Sequence, residues 1–340
     1  MMNFERIITC IDAHCAGEPV RVITSGFPPI HGKTILEKRE YVLEHYDHLR
    51  KLMMLEPRGH SGMYGCILVP AVTPDGDFGV LFTHNEGLST MCGHATIGIT
   101  KVAIETGMIN SKEGENIVRI DSPAGRVTAY AKVEKGKVKS VKFQNVPSFV
   151  LYEDIPVKIE GEKEIMVDIA FCGAFYAYVE AEKLDLKIDP KIINRLVDLG
   201  MKIKYKVIDT MKVVHPLEKD LKSIYGTIFT GPLEKKGNKI ISKNVCIFAD
   251  GQIDRSPTGT GTGGRIALLS HQGLLKKGMT LVNQSIIDTV FEGTIVDFTK
   301  IENIPAVIPE VSGTANITGF NQLVLEPEAV SYTHLRAHET

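Results

Sequence analysis

The chain has 340 residues, 43% hydrophobic and 24% charged, with 39 basic against 41 acidic side chains and a formal charge of −2. That length supports two cores of roughly 150 residues each. The near-neutral balance leaves no basic field for nucleic acid or an anionic membrane, and excludes those partners. Met1 to Cys15 is interrupted by Glu5, Arg6 and Asp12 and does not read as a signal peptide. The longest apolar run, Cys66 to Val72, contains Pro70 and falls far short of the ~20 residues of a membrane-spanning helix. The cysteines, at positions 10, 15, 66, 92, 172 and 246, include no CxxC pair. Neither a disulfide framework nor a zinc knuckle is expected, and a reducing, cytoplasmic compartment fits.

In chain order, Glu5 to Ile11 and Pro19 to Thr24 read as strands joined by a loop holding His14, Gly17 and Glu18. His14 and Cys15 have no third ligand at a recognisable spacing, so no metal is expected. Lys33 to Leu55, free of Gly and Pro, reads as one or two surface helices. Pro57-Arg58-Gly59-His60 is a loop before the strand Gly65 to Val69, and Phe78 to Thr83 is a further strand. A helix then runs from Cys92 to Gly107, apolar on most of its surface, which suggests a central helix wrapped by strands. Val118 to Ser122, Arg126 to Val133 and Val138 to Val146 alternate as antiparallel strands, with a domain change near Pro123-Ala124-Gly125. Strands are predicted at 165–171, 174–179 and 245–249, an amphipathic helix at 190–202, and a second motif helix from Thr258 to Gly273. Strands follow at 280–285, 294–299 and 306–310, and residues 314–325 return as a last pair. The segment Ser331 to Thr340 has no apolar period and reads as a non-native tail.

Two stretches carry chemistry. In Thr90-Met91-Cys92-Gly93-His94-Ala95-Thr96, the cysteine stands at a helix start, where unpaired backbone N–H groups and the dipole stabilise a thiolate. The same N–H groups would hold a carboxylate or phosphate. A cysteine in such a place is often only a small buried hydrophobe. Against that reading stands a second stretch of the same shape, Asp254-Arg255-Ser256-Pro257-Thr258-Gly259-Thr260-Gly261-Thr262. At a constant offset of 166 residues, Phe82 falls on Phe248, Cys92 on Thr258, Gly93 on Gly259, Thr96 on Thr262 and Gly107 on Gly273. Such a duplication would aim two helix N-termini at one cleft. Gly259-x-Gly261-x-x-Gly264 also matches a dinucleotide fingerprint, but no acidic residue lies about 20 positions on, and a nucleotide-binding protein is disfavoured.

The chain resembles the proline racemase family, which includes hydroxyproline 2-epimerases and trans-3-hydroxy-L-proline dehydratases. The resemblance runs from Ile11 to Pro327. It rests on Asp12-Ala13-His14 with Gly17-Glu18-Pro19, Glu56-Pro57-Arg58-Gly59-His60, His84-Asn85-Glu86-Gly87, Met91-Cys92-Gly93-His94, Asp121-Ser122-Pro123-Ala124-Gly125, Phe171-Cys172-Gly173-Ala174-Phe175-Tyr176 and Asp254 to Thr262. It implies an α+β, diaminopimelate-epimerase-like fold of two pseudo-symmetric domains, each with strands wrapped around a central helix. The expected domains are 1–123 with 314–330, around the Cys92 helix, and 124–313, around the Thr258 helix. No cofactor is implied. A small imino-acid substrate and a homodimer are. The family's racemases place Cys, sometimes Ser, where this sequence has Thr258, a departure that looks like the trans-3-hydroxy-L-proline dehydratase branch.

Removing a Cα proton from an amino acid needs a desolvated base and donors at the carboxylate where negative charge develops. Cys92 fits the base, and the backbone amides of Gly93, His94, Gly259 and Thr260 would hold the carboxylate. By resemblance, Asp254 and the His94 side chain contact the ring nitrogen. A threonine hydroxyl, far less acidic than a thiol, cannot serve as the acid on the opposite face. Elimination is therefore expected where C3 carries a hydroxyl, giving pyrroline-2-carboxylate and water. The alternatives are a proline racemase or 4-hydroxyproline 2-epimerase that tolerates Thr258, and a non-catalytic amino-acid-binding module.

Overall fold

The computed structural model describes residues 5–326. The tail at 331–340 and the end of the expected first domain, 327–330, lie outside the described residues. The chain opens with strands β1 (Arg6–Cys15) and β2 (Glu18–Ser25), turning through Ala16 and Gly17, both at positive φ. His14 and Glu18 are therefore strand residues, because the turn needs only two positions. Helices α1 (Ile35–His45) and α2 (Asp47–Met54) follow. Next come β3 (Tyr64–Val69), β4 (Phe78–His84), the two-residue β5 (Leu88–Ser89) and α3 (Gly93–Glu105). The meander β6 (Gly114–Ser122), β7 (Gly125–Glu134) and β8 (Lys137–Gln144) closes this part.

After β9 (Ser148–Val157) come β10 (Ile165–Phe171), β11 (Phe175–Glu180) and α4 (Ile193–Thr210). Then follow β12 (Gly226–Thr230), β13 (Glu234–Lys236), β14 (Lys239–Phe248), β15 (Gln252–Ile253) and α5 (Gly259–His271). Strands β16 (Thr280–Gln284), β17 (Val290–Ile301), β18 (Ile304–Gly313) and β19 (Ala315–Leu325) complete the chain. Helix α4 outruns its expected end because Leu196, Leu199, Ile203 and Val207 carry the buried stripe past Lys202. The expected last pair is one unbroken strand, β19, laid antiparallel along β1.

The pairings repeat. β4 turns back through β5, enters α3 and crosses over to a parallel β6, whereas β14 turns back through β15, enters α5 and crosses over to a parallel β16. Earlier in each half, β2 runs parallel to β3 across α1 and α2, and β11 runs parallel to β12 across α4. β19 flanks β1 as β9 flanks β10. β7 and β8 lie beyond residue 123, the expected end of the first domain, yet they pack on α3. Pro123 and Ala124 are the tight turn of the β6–β7 hairpin, where Ser122 pairs with Gly125, rather than a linker. The change from one helix's surroundings to the other's comes after Gln144.

Both motif helices are buried all round: α3 from Gly93 to Ile104, α5 from Gly259 to Leu269. Burying each Ile, Val or Leu there contributes about 1.5–3 kcal/mol. Lys101 is tolerated because its ammonium meets Glu105 at 2.7 Å and the Val138 carbonyl at 3.1 Å. The glycines of the apparent dinucleotide fingerprint are packing positions: a Cβ at Gly264 would strike the Tyr178 hydroxyl, and one at Gly261 would lie 2.5 Å from Ile228.

Candidate active site

The two crossovers deliver α3 and α5 nose to nose. A Cβ on Gly93 would lie 2.5 Å from the Gly259 Cα, and one on Gly259 the same distance from the Gly93 Cα. Only glycine allows this approach. At the meeting point is a small cavity whose wall includes Cys92, His94, Asp254 and Thr258. The Gly93, His94, Gly259 and Thr260 amides, in the first turns, donate to no acceptor among the described residues. The structure thus brings Cys92, Gly93, His94, Asp254, Thr258, Gly259 and Thr260 together.

Cys92 caps α3. Its backbone is extended (φ −146°), and its sulfur accepts from the Ala95 amide at 3.4 Å. The His94 Nε2 faces the Pro19 carbonyl at 3.2 Å and must be the donor there. That fixes the tautomer and turns the Nδ1 lone pair toward the Cys92 sulfur, 3.1 Å away. Burial lowers the His94 pKa and keeps the ring neutral. Both ring nitrogens are thus engaged by protein atoms, rather than free for a substrate ring nitrogen.

The Cys92 thiol is held well above its ordinary range. Burial is the main cause, and Asp254 and Glu18 add to it; the Ala95 amide and the Tyr64 hydroxyl pull the other way without prevailing. The expected thiolate is therefore a thiol in the ligand-free site, with His94 Nδ1 as its acceptor. Desolvation beside two carboxyl groups outweighs one long amide contact. Glu18, 1% exposed, is also pushed well above the carboxylate range, first by burial and then by Asp254, although the Arg255 backbone and guanidinium both donate to it. No Lys or Arg side chain lines the cavity among the described residues. A cationic ring nitrogen entering beside Asp254 would offset its charge and lower the thiol pKa.

Thr258 caps α5 in an unusual way. Its φ is +61° and ψ 100°, a conformation that β-branched residues avoid. The loop holds it there. Ser256 N donates to Asp254 Oδ1 at 2.8 Å, and Thr258 N donates to Ser256 Oγ at 3.1 Å. Asn244 and Asn283 both donate to the Pro257 carbonyl, at 3.0 and 3.3 Å. The Thr258 hydroxyl is buried without a hydrogen bond of good geometry, although the Cys246 thiol is near enough to interact with it. A strained residue with an unspent hydroxyl facing a cavity marks a site.

Sequence reasoning gave no role to Glu18, Tyr64, Tyr176, Tyr225, Cys246 or Phe248, though all but Glu18 line the cavity. Tyr176 meets the Thr260 hydroxyl at 2.6 Å and Tyr64 meets Ser89 at 2.5 Å. Glu18 and Tyr176 stand inside motifs that could have flagged them; Tyr225 carries no local signal.

The arrangement brings a buried thiol and the unpaired amides of two helix starts to one cavity. A sequence profile described as "Proline racemase" matches residues 10–330. The chain belongs to the proline racemase family. It is 52% identical to a Bacillus thuringiensis protein named trans-3-hydroxy-L-proline dehydratase, over 96% of this chain and 97% of that one. It is 41% identical to a Burkholderia multivorans protein named 3-hydroxyproline 2-epimerase, over 98% and 99%. Its fold superposes on a hydroxyproline epimerase from Agrobacterium vitis with bound trans-4-hydroxy-L-proline, with a TM-score of 0.90, 30% identity and coverage of 96% and 95%.

Proposed function

We propose that this protein is a trans-3-hydroxy-L-proline dehydratase. The observation that carries the reading is Thr258, whose hydroxyl faces the cavity shared with Cys92 where a second thiol would make the site two-based. The name of the Bacillus relative agrees. The substrate carboxylate accepts from the Gly93, His94, Gly259 and Thr260 amides, and its ring ammonium lies beside Asp254. Cys92, as the thiolate that the entering cation favours, takes the Cα proton. In trans-3-hydroxy-L-proline the C3 hydroxyl is on the same face as that hydrogen, so elimination is syn. The C3–O bond breaks, the hydroxyl leaves as water, and the enamine tautomerises to pyrroline-2-carboxylate. Thr258 is too weak an acid to return a proton from the opposite face.

The repeated order of strand, short return, capped helix and parallel strand supports a diaminopimelate-epimerase-like assignment of the fold. The epimerase name of the Burkholderia relative makes inversion the reading to test against. Incubating the protein with trans-3-hydroxy-L-proline should yield pyrroline-2-carboxylate. Formation of the Cα epimer in its place would overturn the proposal.

A further inference from the structure

Resting on the dehydratase reading, we propose that the Tyr225 hydroxyl receives the substrate's C3 hydroxyl and protonates it as it departs. Three phenols line the cavity: Tyr64, Tyr176 and Tyr225. Two are committed, Tyr64 to Ser89 and Tyr176 to Thr260 on the first turn of α5. The third, Tyr225, is buried at its oxygen and has no hydrogen bond of good geometry. Buried hydroxyls find partners, so an unspent one in a cavity wall is a place kept for a ligand.

Its position suits the stereochemistry. The groups around the Tyr225 oxygen include Cys92, Tyr64 and Ser89 on one side of the cavity and Cys246, beside Thr258, on the other. Burial keeps the Tyr225 phenol protonated, a charge on Cys92 or Cys246 would raise its pKa further, and the Tyr64 and Ser89 hydroxyls are near enough to lower it. The Tyr64 hydroxyl is near enough to the Cys92 thiol to lower its pKa. The hydroxyl to be expelled lies on the face that Cys92 serves, within reach of Tyr225. The ring is fixed: it stacks on Phe248 with centroids 5.5 Å apart and meets Tyr176 and His84 edge-on, each at 5.7 Å. Its backbone amide donates to the Phe175 carbonyl at 2.8 Å.

The step balances. The Cys92 thiolate gains the Cα proton, and the Cα–H pair forms the C2–C3 double bond. The C3–O pair leaves with the hydroxyl, and the Tyr225 proton completes the water. The Cys92 proton then returns to the tyrosinate through Tyr64 and Ser89, restoring both groups. No oxidant or second substrate is consumed.

The test pairs the wild type with Tyr225→Phe and uses two readouts, dehydration of trans-3-hydroxy-L-proline and exchange of the L-proline Cα hydrogen in heavy water. The variant should lose roughly 10²–10⁴-fold in dehydration kcat while exchange by Cys92 persists within about threefold. Dehydration near the wild-type rate, or loss of exchange together with dehydration in a folded variant, would overturn the role of Tyr225. Wild-type protein that exchanges but forms no pyrroline-2-carboxylate would remove the dehydratase reading itself, and this role with it. Should the Phe variant fail to fold, Tyr225→3-fluorotyrosine keeps the shape and lowers the phenol pKa. The alkaline limb of kcat should then move to lower pH, and an unmoved limb would count against the proposal.

Discussion

At the scale of single residues, Cys92 and Thr258 occupy equivalent helix starts and differ in the acidity of one group. Strain of about 1–3 kcal/mol is typical for a β-branched residue held at positive φ, and the clamps on Pro257 and Ser256 hold it in place. Replacing Cys92 by Ser should leave the fold intact and reduce turnover to below a few per cent, since the proposed base is lost; circular dichroism and a product assay read both. Labelling is the second check. Because burial and the nearby carboxyl groups raise the Cys92 pKa, the thiolate fraction grows only as pH climbs past the ordinary thiol value of 9.0. Alkylation of the free protein should therefore keep accelerating above that pH, whereas a plateau near neutrality would contradict the raised pKa. A planar pyrrole carboxylate should protect Cys92, and equal labelling with and without it would argue against the cavity as the substrate site.

At the scale of elements, the site depends on how closely α3 and α5 approach. Gly259→Ala sets a methyl 2.5 Å from the Gly93 Cα, which must push the helix starts apart. A shift of about 1 Å at a reacting centre costs on the order of 10² in rate, so kcat should fall by that much while the far-ultraviolet spectrum is kept. Away from the site, Asp121 on β6 fastens the loop after β3. It accepts from the Val72 and Thr73 amides at 2.9 Å each and from Arg126 Nε at 2.9 Å. Burial would raise its pKa, but these hydrogen bonds prevail and hold it below the ordinary carboxylate value. A depressed folded-state pKa means its stabilisation is present above the unfolded value of 3.8 and is lost as pH falls through the lower folded value. Asp121→Asn should therefore destabilise the protein by about 1.5–3 kcal/mol at pH 7, and the difference from wild type should shrink below pH 4. A denaturant midpoint series across pH checks the sign.

At the scale of the whole molecule, what could be read from the sequence was local. The cap of α3, the loop before α5 and the constant offset between them lie within short stretches, and both helices appeared where the stretches placed them. Strand β9 carries no strand signal in the sequence, because Glu153, Asp154 and Pro156 break its alternation; it exists because β10 and β18 flank it. The protonated state of Cys92 was hidden too. It arises first from burial, with Asp254 and Glu18, which reach α3 from distant parts of the chain, adding to it. Tyr225 reaches the cavity from the loop before β12 and is placed only by tertiary packing on Phe248 and Tyr176.

Thr258→Cys follows from the same symmetry. It should install the missing second base and allow slow inversion of proline or 4-hydroxyproline. The most direct test of the one-base account uses the unaltered protein with L-proline in heavy water, read by mass spectrometry after chiral separation. The Cα hydrogen should exchange with retention, giving deuterated L-proline, no accumulating D-proline and a constant optical rotation. Substantial D-proline would show that Thr258, or a water it holds, returns protons from the second face, and would contradict the mechanism.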